Sequence, residues 1–156
     1  MLSFGSVQKA DFDAMADLRA EALRESLEHL GRFDPVRVRE RLRAAFVPGC
    51  MRHILRDGQR IGYLTLIPRP GAPEMRLHHL YLLPGHQGQG AGQWALDWVK
   101  AQATTQGCDV TLGALRDSAA NRFYVRHGFR LVEEQEFDLE YRWSPAAPAA
   151  VEGTRA

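Results

Sequence analysis

The stretch "LLPGHQGQGAGQWAL", residues 82–96, constrains this chain more than any other. Gly88, Gly90 and Gly92 fall between an apolar run ending in Pro84 and a helical pattern that begins near Gln89. Glycine weakens a helix by roughly 1 kcal/mol per residue, so three of them at a helix start need a reason. A strand, a glycine-rich turn and a helix N-terminus together make an anion site. The first N–H groups of the helix have no partner, and the helix dipole adds partial positive charge there. With side chains removed, phosphate oxygens reach those N–H groups directly. The expected ligand carries phosphate.

Two common phosphate loops are excluded. No Gly-Lys-Ser/Thr follows, as a Walker loop requires, and in a G-x-G-x-x-G dinucleotide fingerprint the third glycine would fall on Gln93 or Ala95. The pattern that fits is Q-x-x-G-x-G, satisfied by Gln87, Gly90 and Gly92 after the strand-like "LYLLP".

The remaining sequence predicts a mixed sheet with helices inserted. Strands are expected near 2–8, 51–56, 60–67, 75–83, 109–114, 129–135 and 136–143, with Asp57-Gly58 turning a hairpin. Asp11 reads as the N-cap of a helix reaching about Leu30, with Phe12, Met15, Leu18, Ala22 and Leu23 at helical spacing. Asp34-Pro35 starts a second helix carrying Val38, Leu42 and Phe46. A third spans about 89–105, with Ala91, Trp94, Ala95, Trp98 and Val99 on one side. A fourth is "SAANRFYVRHG", closed by Gly128 as its C′ residue. The order βααβββαβαββ predicts a single α/β (α+β) domain over 1–143, followed by a flexible Pro/Ala-rich tail over 144–156.

With 156 residues, the chain is long enough to bury a core without staples. A net charge of +1 argues against the basic field that drives nucleic-acid binding. Cys50 and Cys108 form no Cys-x-x-Cys pair, so neither a zinc site nor a disulfide framework is expected. No apolar run reaches membrane-span length and no signal-peptide organisation opens the chain, so the expected location is cytoplasmic.

The glycine turn resembles the acetyl-CoA pyrophosphate loop of the GNAT (Gcn5-related N-acetyltransferase) superfamily. "ANRFYVRHGF" resembles that superfamily's second signature, and the two segments stand in the family order. The resemblance implies a seven-stranded, mostly antiparallel sheet flanked by about four helices. Its fourth and fifth strands would run parallel and splay.

It also implies acetyl transfer from acetyl-CoA to a primary amine of a small molecule or peptide, with no metal. The chain would act as a monomer or homodimer. The alternative is a non-catalytic acetyl-CoA-binding module.

Residue roles follow from the same resemblance. Tyr124 would protonate the leaving thiolate. Main-chain groups of Leu80, Tyr81 and Leu82 would serve the thioester oxygen and the pantetheine amides. Gln87 would shape the turn, and N–H groups of Gly88, Gln89, Gly90, Ala91, Gly92 and Gln93 would hold the pyrophosphate. Asp117 stands where the family often has an Asn contacting CoA. Asn121 either touches pantetheine or caps the helix, and Asp117 and Ser118 also suit an N-cap.

Many members carry a base Glu where this chain has Arg76. Strand alternation predicts that Glu74, Arg76, His78 and Leu80 share one face, with His79 and Tyr81 on the other. This makes His78 the lead candidate base, against a water chain. His79 is expected to be a core histidine. Glu25, Ser26 and Glu28 lie where acceptors bind in the family, and either attract a cationic amine or are merely solvated.

Overall fold

The computed structural model describes residues 1–145, so the tail expected over 144–156 lies almost wholly outside the described residues. Seven strands form one sheet: β1 (Leu2–Ser6), β2 (Met51–Arg56), β3 (Gln59–Pro68), β4 (Glu74–Leu82), β5 (Asp109–Leu115), β6 (Arg130–Glu134) and β7 (Asp138–Trp143). Their spatial order is β1-β2-β3-β4-β5-β7-β6. Every neighbouring pair is antiparallel except β4 and β5. The β2–β3 hairpin turns on Asp57 (φ 50) and Gly58 (φ 84), the paired left-handed conformation that Asp-Gly supplies.

Four helices cover the two faces. On one face, α1 (Phe12–His29) and α2 (Pro35–Ala44) pack around Phe12, Met15, Leu42, Met51 and Tyr63. On the other, α3 (Ala91–Gln106) and α4 (Ala120–Arg126) join a larger core that includes Leu64, Leu77, Leu96, Val110 and Leu112. Trp94 and Trp98 are only partly buried and pack against Phe4, while Leu96 and Ala103 fill the inner stripe of α3.

Helix boundaries obey local capping. Asp34 accepts from the N–H groups of Val36 and Arg37, and Pro35 supplies the fixed φ of the first turn. That helix ends at Ala44, so Phe46 lies beyond it and meets Phe12 edge-on. Asp11 does hold the N-cap position of α1, but its side chain makes no cap hydrogen bond there. It ends a 3-10 turn at Lys9–Asp11, and its carboxylate accepts from the Gln8 N–H at 2.8 Å, His53 Nε2 at 2.9 Å and Arg60 at 3.1 Å.

The fourth helix is shorter than its periodicity suggested and has Ala119, not Asp117 or Ser118, at its N-cap. Gly128 (φ 92) does follow its C-cap, His127. No described helix is long and apolar enough to cross a membrane.

Two features of β4 position the site. Its parallel pairing with β5 covers only Glu74, Arg76 and the residue between them, against Asp109–Thr111; beyond that the strands part. Ion pairs gather at this joined end: Arg142 bridges Asp109 (2.7 Å) and Glu74 (3.3 Å), and Arg76 meets Glu140 (2.7 Å).

The second feature is a β-bulge. Thr65 pairs with His79 while Leu66 pairs with Leu77, leaving His78 as the extra residue. Met75 and Leu77 therefore face the α3 core before the bulge, and Leu80 and Leu82 face it after. The predicted common face of Glu74, Arg76, His78 and Leu80 is thus incorrect, because one inserted residue inverts the alternation.

Candidate functional site

The parting of β4 and β5 opens a cleft of about 1350 Å³, larger than the ~300–1,000 Å³ of a usual small-molecule site. On one side α1 and α2 contribute Arg19, Glu25, Ser26 and Arg37. On the other lie the glycine turn, Asp117 and α4 with Phe123 and Tyr124. His78, Leu80, Tyr81 and Leu82 line it from the free edge of β4.

The glycine turn has two different reasons for its glycines. Gly88 (φ 74) and Gly90 (φ 87) are left-handed, and a Cβ on either would project into open space. Gly92 is a packing position: a Cβ there would sit 3.3 Å from the Phe123 ring. The helix begins at Ala91 rather than near Gln89, with Gly90 as N-cap and no side-chain cap.

Consequently the Trp94 N–H closes on Gly90 O at 3.0 Å, whereas no N–H from Gly88 to Gln93 donates to a described backbone carbonyl outside regular elements. These N–H groups are left without a backbone partner in the turn at one end of the cleft, where the helix dipole adds its partial positive charge. Gln87 holds the turn by donating Nε2 to Leu82 O at 3.0 Å, and Gln89 by donating to Gly85 O at 3.3 Å. Gln87, Gly88, Gly90, Gly92 and Gln93 line the cleft; Gln89 and the buried Ala91 do not.

Tyr124 is 6% exposed, packed among Phe123, Phe129 and Tyr141, and borders the cleft. Burial, and then the nearby Tyr81, raise its pKa, so the phenol stays protonated well above neutral pH. His78 opens onto the cleft, and partial desolvation by the cleft walls, then Arg76 and Arg69, lower its pKa. His79 is 5% exposed, shares a 2.8 Å hydrogen bond with Thr65 Oγ1, and is depressed to about 3 by burial. It is a core histidine.

Asn121 is turned away from the cleft. Its amide donates to Leu115 O at 2.7 Å and Ser118 O at 3.0 Å, and accepts from the Tyr141 hydroxyl at 2.9 Å. It fastens the start of α4 to β5 and β7, which leaves none of its polar atoms for pantetheine. Asp117 does line the cleft, in the left-handed conformation (φ 63). On α1, Glu25 and Ser26 line the cleft, but Glu28 pairs with Arg24 at 3.0 Å instead.

Several cleft residues were not singled out in the sequence; the most deeply buried charged one among them is Arg19. It continues the spacing of Phe12, Met15 and Ala16 on the buried face of α1 and is 7% exposed. An arginine on an apolar helical stripe is a signal the sequence does carry.

Comparison with known proteins agrees with this geometry. The sequence model of the acetyltransferase (GNAT) family matches residues 12–129. An uncharacterized N-acetyltransferase of Mycobacterium tuberculosis is 33% identical over 117 residues, covering 72% of this chain and 74% of that protein. Among solved structures, PaiA N-acetyltransferase from Thermoplasma acidophilum in complex with coenzyme A superposes with a TM-score of 0.74. It is 15% identical, over 92% of this chain and 99% of that one. An acetyltransferase from Thermus thermophilus gives 0.74 at 19% identity, over 92% and 97%.

Proposed function

Because the chain belongs to the acetyltransferase (GNAT) family and is an N-acetyltransferase, we propose that it moves an acetyl group from acetyl-CoA to a primary amine by direct attack. The observation that carries the donor half is the row of unbonded N–H groups from Gly88 to Gln93 at the cleft end. A pyrophosphate is the ligand chemistry that such a row accepts. The unpaired edge of β4 at Leu80–Leu82 suits the pantetheine amides, which pair with it as an added strand would. N–H groups on the same edge suit the oxygen of the thioester.

In the reaction the amine nitrogen bonds to the thioester carbonyl carbon, the carbon–sulfur bond breaks, and one proton passes from the amine to a base. His78 fits that role, since a lowered pKa keeps its imidazole neutral and able to accept. Tyr124 donates its hydroxyl proton to the departing thiolate. The protein is proposed to work in the cytoplasm on a small-molecule or peptide acceptor.

The test is a thermal-shift and thiol-release screen with acetyl-CoA, ATP and NAD against a panel of amines. Acetyl-CoA should stabilise the protein, by about 2.7 kcal/mol at a hundredfold excess over Kd. Gln93→Glu places a carboxylate in the first turn of α3, where the helix dipole welcomes it but a pyrophosphate does not. The variant should keep its ligand-free melting temperature and lose the acetyl-CoA shift. A saturating shift with ATP and none with acetyl-CoA would overturn the reading.

A further inference from the structure

Arg19 is buried without a carboxylate. Its Nη1 reaches the Tyr63 hydroxyl at 3.5 Å, Tyr81 is its other phenolic neighbour, and its Nε has no partner. The guanidinium carbon lies 5.2 Å from the centroid of the Tyr81 ring, and the residue lines the cleft. Arg76 and Arg142 are more exposed, yet each pairs with a carboxylate. Burying a cation uncompensated is costly, so a fold that keeps one at the wall of a substrate cleft leaves it for something that enters.

The α1–α2 side of the cleft adds further cations. Arg32, Arg37 and Arg41 line this part of the cleft, and none forms an ion pair with a described carboxylate. Arg32 stacks on Phe137 at 3.8 Å, also in the cleft wall. The acids of the cleft are Glu21, Glu25 and Asp34 on the α1–α2 side, Glu136 and Asp138 on either side of Phe137, and Asp117; the Asp34 carboxylate is already occupied in capping α2.

We propose that the acceptor amine also carries an anionic group, a carboxylate or a phosphate, which docks on the Arg19 guanidinium between α1 and β4. This rests on the acetyl-transfer reading above and narrows its acceptor class. Arg32, Arg37 and Arg41 draw such a molecule to the α1–α2 side, and Arg19 fixes its anionic end. A guanidinium matches an oxyanion with directed N–H donors, which an ammonium does less well.

Matched acceptor pairs test this: the free L-amino acids against their carboxamides, and O-phosphoethanolamine against ethanolamine. Thiol release and melting temperature are read with the wild type, Arg19→Met and Arg19→Lys. The wild type should prefer the anionic member of at least one pair by about tenfold or more, the range of a charged hydrogen bond. The pair that responds tells carboxylate from phosphate.

Arg19→Met should lose the preference mainly through KM while keeping the acetyl-CoA thermal shift, and Arg19→Lys should retain part of it. Equal use of charged and neutral members by the wild type would overturn the proposal, as would a preference that survives in Arg19→Met. Should no amine release thiol while anionic amines alone still raise the melting temperature through Arg19, only the transfer reading fails. Should neither occur, the anion site fails with it.

Discussion

Tyr124 is a buried residue that borders the cleft, and burial keeps its hydroxyl protonated. If it supplies the proton to the leaving thiolate, Tyr124→Phe should leave melting temperature and acetyl-CoA affinity nearly unchanged. Turnover should fall by about 10²–10⁴-fold, as for other general acid–base groups. His78 makes a separate prediction. Partial desolvation, then Arg76 and Arg69, lower its pKa, so its neutral form persists below the ~6.5 of free imidazole. The acid limb of kcat/KM should therefore lie below that value and vanish in His78→Gln. Arg76→Gln removes a nearby cation and releases the Glu140 carboxylate, so the limb should move to higher pH. A limb unchanged in both variants would assign the proton to a water chain.

Asp34 caps α2 with two hydrogen bonds, and Asp34→Ala should cost about 1 kcal/mol in urea unfolding. This element was legible in sequence because its signal is local: the cap, the proline and the apolar spacing are contiguous. The Asp57-Gly58 hairpin and the glycine turn were legible for the same reason. The His78 bulge was not, because it exists only in the register of β4 against β3, where Thr65 and Leu66 skip a residue. Nor does any local pattern say that Asn121 is consumed by Leu115, Ser118 and Tyr141, since Tyr141 arrives from β7. Arg19 was the reverse: a visible irregularity in a clear helical stripe, whose meaning depends on the cleft beside it.

For the molecule as a whole, the buried His79 and the partly buried Asp11 shape the response to acid. His79 is depressed to about 3, so the unfolded chain takes up its proton first. Its contribution is full above about 6.5 and declines as pH falls toward 3, at roughly 1.4 kcal/mol per pH unit. Asp11, lowered to about 2 first by His53 and then by the Gln8 N–H, acts lower: its contribution is full above about 4 and is lost as pH falls through 2. Unfolding free energy followed against pH should be shallower between 6 and 4 in His79→Gln, and shallower below 4 in Asp11→Asn. The sheet itself divides in a way that acid does not reveal. Strands β1–β4 and β5–β7 are each antiparallel and share only the short ladder of Glu74–Arg76 with Asp109–Thr111. Each half closes through neighbours in sequence, while the seam must wait for α3 to return the chain. The two halves should thus behave as separate foldons, with seam amides exchanging deuterium by subglobal opening while β2–β3 and β5–β7 amides remain protected.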